Sequence, residues 1–238
     1  LNKLKYLSRV NLFQILEPGD YNRVERDTRI EPVEKGTLVT SPNSEEPRLY
    51  FVKSGAVRLY TMSMEGKELT LDVLTAGHLF GEIGAPVSSR QVYAVTLEDS
   101  VICTMNYGQF TAILREKPDL AIKFIEIMSA RLAEVEELLE HMAYSSVRKR
   151  LLFLLNKLAD KFAFAAPYAG EEEEADRPKW VRLEVELTHQ ELASMMGSSR
   201  ETVTEAMNRL AAEGLVKRAG QRKPLWIRAD RFKDLLAD

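Results

Sequence analysis

Arg200 and Glu201 stand side by side, and Thr204, Glu205 and Arg209 follow at intervals that return to one face of a helix. A guanidinium can donate two hydrogen bonds to guanine O6 and N7, and a carboxylate can accept from cytosine N4, so this pattern suits the reading of base edges. Glu201 has a second role open to it: it stands three residues after Ser198, the spacing at which a glutamate closes a helix cap. Glu205 likewise either reads a further cytosine or is neutralised by Arg209 one turn on.

Such side chains need a rigid carrier, and the surrounding residues supply one. Residues 187–216 read as two short helices around a tight turn. Thr188 with Glu191 has capping-box spacing, and Leu192, Met195 and Met196 give the first helix its buried stripe. Gly197 stands where the turn needs a backbone without a Cβ. Val203, Ala206, Met207 and Leu210 face inward on the second helix, which Gly214 ends. A helix-turn-helix lays its second helix in the major groove of DNA. Trp180–Leu187 alternates as a strand, and Leu215–Ala219 with Pro224–Arg228 reads as a hairpin, together making a winged form. Arg218, Arg222 and Lys223 on that wing are placed to meet phosphates, the alternative being a solvated basic turn.

The rest of the chain divides by periodicity. Residues from about 10 to 110 are strand-like and turn-rich: Leu49–Tyr60 is two extended runs broken at Ser54-Gly55, followed by Lys67–Leu74, Val92–Leu97 and Val101–Met105. Short strands at such spacing predict an antiparallel sandwich or roll. Near Pro118 the period becomes helical, with Ile125, Met128, Leu132, Val135, Leu139 and Met142 alternating by three and four, the seam of a paired coiled coil. Burying each seam side chain contributes roughly 1.5–3 kcal/mol before ordering costs. Packing of this helix on its own sheet is the competing use, and Phe124 and Leu138 lie outside the seam. Tyr144–Ser146 interrupts it before a basic, then apolar, helix from Leu151 to Phe162, and is the expected hinge. Residues 163–179, with four successive glutamates, read as a polar loop.

Composition sets the bounds. The 238 residues are 45% hydrophobic and 29% charged, enough for two cored domains. No apolar run reaches about 18 residues and no signal peptide is visible, which predicts a cytoplasmic protein without a membrane partner. The sequence opens on Leu1 rather than Met, so a few native residues are expected before it. A net charge of −3 hides a split, with +2 over residues 145–238 and −5 over residues 1–144. A basic carboxyl-terminal part beside an acidic amino-terminal part fits a regulator of nucleic acid. The single cysteine, Cys103, excludes an intrachain disulfide and any all-cysteine metal site within the chain. His78, His141 and His189 fall in three different elements, and no Ser/His/Asp or phosphate-loop pattern occurs, so neither a metal site nor an enzyme is expected.

In this order, a β-roll, a long helix, a hinge and a winged helix-turn-helix resemble the Crp/Fnr family of bacterial transcription regulators. The likeness spans nearly the whole chain, and Leu49–Tyr60, Gly77–Gly84 and Ser199–Val203 carry its motifs. It implies an α+β chain with a roll-type sensor at 1–116, a dimerisation helix at 117–144 and a winged helix-turn-helix at 145–238. It further implies a homodimer on a two-fold site in double-stranded DNA, in contact with RNA polymerase, with activator and repressor both open as its sign. Thr188, His189, Gln190 and Ser199 match its phosphate-contacting positions, and Arg200 and Glu201 its base readers. Glu205 departs from it, since many relatives carry arginine there. The acidic stretch Glu171–Asp176 lies near where relatives touch polymerase, or is simply a spacer.

The resemblance also marks an effector pocket at Gly81, Glu82, Ile83, Arg90, Val92, Tyr93, Val135 and Glu136. Cyclic-nucleotide members hold the ligand's phosphate with an arginine and a hydroxyl where this chain has Val92 and Tyr93, and Val135 and Glu136 replace polar groups that meet the base. A buried phosphate without a fixed cation is costly, which argues against cyclic AMP. Arg90 is the one nearby group able to rebuild an anion site. His78 and Cys103 are haem ligands by type, although a loop histidine and a core cysteine have plainer explanations. A regulator with no cofactor, controlled by its abundance, is one expectation, and a module answering a small molecule other than cyclic AMP, or haem, is the alternative.

Overall fold

The computed structural model describes residues 12–13, 16–17, 24, 26–42, 48–81, 92–164, 180–183, 185–218 and 224–237. Glu82, Ile83, Arg90, Glu171–Asp176, Arg222 and Lys223 lie outside them. The chain forms two compact units, Leu1–Val135 and Glu136–Asp238, divided within the long helix, and that helix ends at Tyr144, where the interruption was expected.

Among the described residues, eight strands build the first unit: β1 (Arg29–Val33), β2 (Leu38–Thr40), β3 (Arg48–Ser54), β4 (Ala56–Met62), β5 (Glu68–Thr75), β6 (Leu79–Gly81), β7 (Val92–Thr96) and β8 (Ser100–Asn106). They pair antiparallel into two four-stranded sheets, ordered β1-β8-β3-β6 and β2-β7-β4-β5. All five residues between the ends of β3 are buried, because the strand has a core on each side. Tyr50 and Val52 join Val57, Leu59, Leu74 and Ala94 between the sheets. Leu49 and Phe51 point the other way, into a cluster with Cys103, Met105, Phe110, Ile113 and Leu120. Leu49–Val52 therefore form a continuous apolar run, as expected where both faces of a sheet are covered, and Lys53 is the charged member of the buried five.

Ser54-Gly55 is where the chain changes sheets, since β3 and β4 do not pair with each other. Gly55 has φ 86°, and a Cβ there would stand 2.2 Å from Ser100 Oγ, so both backbone and space demand glycine.

Two helices follow the roll. Helix α1 (Tyr107–Glu116) begins at Asn106, whose side chain accepts from Gly108 N while Gln109 bonds back to the cap backbone. Helix α2 (Pro118–Tyr144) opens on a proline, suited to a first helical position. Its Leu120 is fully buried, and Phe124, Ile127 and Met128 pack against the cluster under β3. Arg131 fastens the same face, donating to the Leu79 carbonyl at 3.1 Å and pairing with Asp72 at 3.3 Å. An adjoining stripe is open: Ile122, Ile125, Leu132, Val135 and Leu139 are 41–63% exposed. Met128 thus belongs to the roll core rather than to the seam, and Ile122, absent from the expected seam, takes a place on the open face.

The second unit contains the end of α2, then α3 (Val147–Phe162), β9 (Ala163–Phe164), β10 (Val181–Leu183), α4 (His189–Met196), α5 (Arg200–Ala212), β11 (Val216–Arg218), β12 (Leu225–Ile227) and α6 (Ala229–Ala237). The short strands form one sheet ordered β11-β12-β10-β9. The strand expected over Trp180–Leu187 is cut to Val181–Leu183, with Val185 and Leu187 buried beyond it. Helix α3 buries Leu151, Leu152, Phe153, Leu155 and Leu158 as the hub of this unit. His141 stacks on Phe153 with ring centroids 3.9 Å apart, and Lys157 pairs with Glu137 at 2.6 Å. The Met142 methyl lies so near Gly197 that a Cβ there would meet it at 3.0 Å. Met142 therefore has a neighbour inside this unit as well as a place in the expected seam.

Candidate nucleic-acid interface

The helix pair α4–α5 is fixed by its ends. Thr188 caps α4, and the box is reciprocal: Glu191 N donates to Thr188 Oγ1 at 3.1 Å, and Thr188 N donates to Glu191 Oε2 at 2.6 Å. Leu192, Ala193, Met195 and Met196 are buried. Gly197 ends the helix in the left-handed region at φ 58°, and Ser198 N donates to the Ala193 carbonyl at 3.0 Å. Ser198 is thereby used to close α4, and the cap of α5 is Ser199, whose hydroxyl accepts from Thr202 N at 3.2 Å. The expected Ser198–Glu201 box is not formed.

Moving the cap by one residue frees Glu201 from capping. Its own backbone N–H and the Ser199 hydroxyl, aided by the Arg200 charge, hold its carboxyl below the usual carboxylate range, so it is an anion ready to accept. Val203, Met207 and Leu210 pack α5 inward. Arg200, Glu201, Glu205 and Arg209 are exposed on its other side. Glu205 and Arg209 are paired at 2.5 Å, which realises the second of the two roles open to Glu205.

Three expected contacts are tied into the fold. Thr204 Oγ1 donates to the Arg200 carbonyl at 2.8 Å and lies 2.9 Å from His189 Nδ1. Arg218 donates through Nη2 to the Leu187 carbonyl at 2.8 Å, with its Nε buried, so it braces the entry to α4 instead of reaching outward as a wing cation. Burial first, then the charges of Arg218 and Arg200, hold His189 below the ordinary imidazole range. Thr188 and Gln190 are exposed beside it. On the wing, β11 and β12 pair antiparallel, and Lys217 Nζ lies 4.0 Å from the centroid of Trp180. Sequence reasoning passed over that cation–π contact, although a tryptophan at the strand entrance was a visible signal.

Of the pocket residues expected in the roll, Gly81, Val92, Tyr93, Val135 and Glu136 are among the described residues. Val92 packs toward the inter-sheet core, whereas its neighbour Tyr93 lies on the other face of β7, stacked on Tyr60 with centroids 5.1 Å apart. Gly81 has φ 115° and a would-be Cβ 2.2 Å from the Arg48 carbonyl, so its role is to admit β3 closely. Val135 and Glu136 are exposed on α2. Cys103 is 2% exposed within the core, and His78 Nδ1 is engaged by Thr75. Among the described residues no three His, Cys, Asp or Glu side chains could hold a metal ion, and no helix is long and apolar enough to cross a membrane.

An antiparallel roll leading through a long helix to a capped helix-turn-helix with a β-wing defines a DNA-binding transcription regulator. Residues 30–117 match the cyclic nucleotide-binding domain family, and residues 149–231 match the Crp-like helix-turn-helix domain family. The chain is 31% identical over 170 residues to the cyclic AMP receptor protein of Thermus thermophilus, covering 71% of this chain and 70% of that one. It is 26% identical over 190 residues to the global nitrogen regulator of Synechocystis, covering 79% and 80%. The fold matches a CooA mutant from Carboxydothermus hydrogenoformans with a TM-score of 0.74 at 24% identity, covering 97% of both chains. The chain belongs to the Crp/Fnr family, whose members are transcription regulators rather than enzymes, and regulators with this helix-turn-helix bind DNA and act as dimers.

Proposed function

We propose that this chain is a sequence-specific regulator whose paired α2 helices carry two α5 helices onto a two-fold DNA site, without cyclic AMP as its signal. The observation that carries this reading is the outward row of Arg200, Glu201 and Glu205 on a helix capped at Ser199. The open apolar face of α2, from Ile122 to Leu139, supports the pairing, because side chains that size left in water forgo roughly 1.5–3 kcal/mol each. Functionally the chain divides into a roll at 1–116, a pairing helix at 117–144 and a DNA-binding part at 145–238. Half-sites then lie about one helical turn apart. Contact with RNA polymerase is what the family suggests.

Control by something other than cyclic AMP is supported by Val92 and Tyr93, which offer a phosphate neither a fixed cation nor, as a pair, a common face. Of the two candidate haem ligands, Cys103 is enclosed in the core, whereas the Thr75 bond to His78 Nδ1 does not disqualify His78, because a histidine held at one ring nitrogen ligates through the other. Selection of bound duplexes from a random library, with and without cyclic AMP or haem, tests the whole reading. A two-fold motif recovered without either compound is expected. A single half-site, or recovery only with cyclic AMP, overturns it.

A further inference from the structure

Thr204 carries one hydroxyl hydrogen, and the Arg200 carbonyl receives it at 2.8 Å. The same oxygen lies 2.9 Å from His189 Nδ1, and with its hydrogen already given it can only accept. That placement of the hydroxyl hydrogen puts the ring proton on Nδ1. In a neutral imidazole that leaves Nε2 as a bare lone pair, an acceptor. Among the described residues Nε2 has no partner, and it is not a buried unsatisfied atom, so it is the ring's outward hydrogen-bonding group.

A DNA phosphate offers only acceptors. Neutral His189 in this tautomer therefore has nothing to give it, whereas the imidazolium has an Nε2–H and a positive charge. The charged groups acting on the ring are both cations: Arg218 from β11 and Arg200 from the start of α5. On its own helix, the Glu191 carboxylate is turned back onto Thr188 by two hydrogen bonds, 2.6 and 2.8 Å long. With burial and two cations opposing the charge, the free protein keeps His189 neutral near pH 7. A phosphate placed beside Nε2 reverses that balance.

We propose that His189 contacts the DNA backbone only when protonated, that Thr204 is the positioning residue enforcing this, and that the chain takes up a proton at Nε2 on binding. The proposal rests on the reading of α4–α5 as the DNA surface and adds a protonation step to it. The sign follows from linkage: the value for His189 is low in the free protein and higher in the complex. Affinity is then constant at high pH, rises as pH falls between the bound and free values, and levels off below the free value.

A phosphate contact needs no particular base sequence, so a random-sequence duplex of about 30 base pairs serves as the probe. Its dissociation constant is measured between pH 5.5 and 8.5 at fixed salt, for the full chain, His189→Gln, Thr204→Val and Arg200→Ala. The native chain should tighten by up to about tenfold per pH unit in the steep region, the limit for one linked proton. His189→Gln should be flat, and Thr204→Val shallower than native because the ring is free to present Nε2–H uncharged. The chain has only three histidines, so nitrogen-15 spectra of the imidazoles give a second reading in the native protein. His189 should show a protonated Nδ1 and a bare Nε2 without DNA. An equal pH slope in the native and His189→Gln proteins, or a protonated Nε2 in the neutral free ring, overturns the proposal. If Arg200→Ala weakens binding while the slope is absent, only the proton step is wrong. If the duplex fails to bind the native chain at every pH, the DNA surface itself is misassigned and the proposal falls with it.

Discussion

Arg209 reaches back one turn of α5 to Glu205, Nη2 to Oε1 at 2.5 Å, and both side chains are more than half exposed. The pair cancels two charges on the face offered to DNA. Replacing Glu205 with alanine releases Arg209 and removes a carboxylate that phosphates repel. Affinity for non-specific duplex should rise severalfold, and the log–log salt slope should steepen by about 0.9 as one more phosphate is met. Stability should move by no more than about 0.5 kcal/mol, as expected of an exposed pair. An unchanged slope and an unchanged selected motif would show that Glu205 masks nothing.

Ser198 and Ser199 make a sharper test of the helix ends. Ser199→Ala removes the acceptor for Thr202 N and should cost about 1 kcal/mol in urea unfolding, within a range of about 0.5–2. Ser198→Ala leaves its backbone bond to Ala193 in place and should cost less than about 0.5 kcal/mol. The reverse order would place the cap at Ser198 after all.

The open face of α2 predicts the assembly. Leu132→Ala removes one exposed leucine from each of two chains, so a pairing through this face should weaken by about 3 kcal/mol or more, over a hundredfold in dissociation constant. Met128→Ala should instead destabilise the roll with little effect on self-association, because Met128 packs on the cluster under β3. Sedimentation at micromolar concentration separates the two, and a dimer indifferent to Leu132 would refute the interface.

Gly55 and Gly36 share a positive φ, 86° and 79°, but only Gly55 has neighbours where a Cβ would go. Gly36→Ala should show backbone strain alone, on the order of 1–3 kcal/mol. Gly55→Ala adds a collision with Ser100 and should cost clearly more, or prevent folding. Equal losses in thermal or urea unfolding would mean that the sheet-to-sheet crossing yields easily.

Most of the helix pair was legible because its elements are local. The Thr188–Glu191 box, the Gly197 turn and the inward stripe of α5 are each written within a few residues. The cap was misplaced by one because two serines adjoin, and only the bond from Ser198 N to Ala193 decides between them. Thr204 and Arg218 were read as DNA contacts because sequence shows donors but not the carbonyls that engage them. Met128 and Met142 fit the seam by spacing, yet α2 turns an apolar surface to its own unit as well, and periodicity does not rank two apolar faces of one helix. Helix α1 was not anticipated: ten residues directly after a strand give little room for a period, and its signal was the Asn106–Gln109 box. Helix α6 was missed in the same way, though Phe232 is fully buried on it.

The two-sided strand β3 makes the roll's interior a pair of chambers with a party wall. Tyr50 and Phe51 are consecutive residues, yet one looks into the space between the sheets and the other toward the bed on which Phe124, Ile127 and Met128 lie. Peptide geometry does not let one move far without the other. Anything that wedges itself between the sheets and shoulders Tyr50 aside therefore nudges Phe51 as well, and the push arrives beneath the first turns of α2.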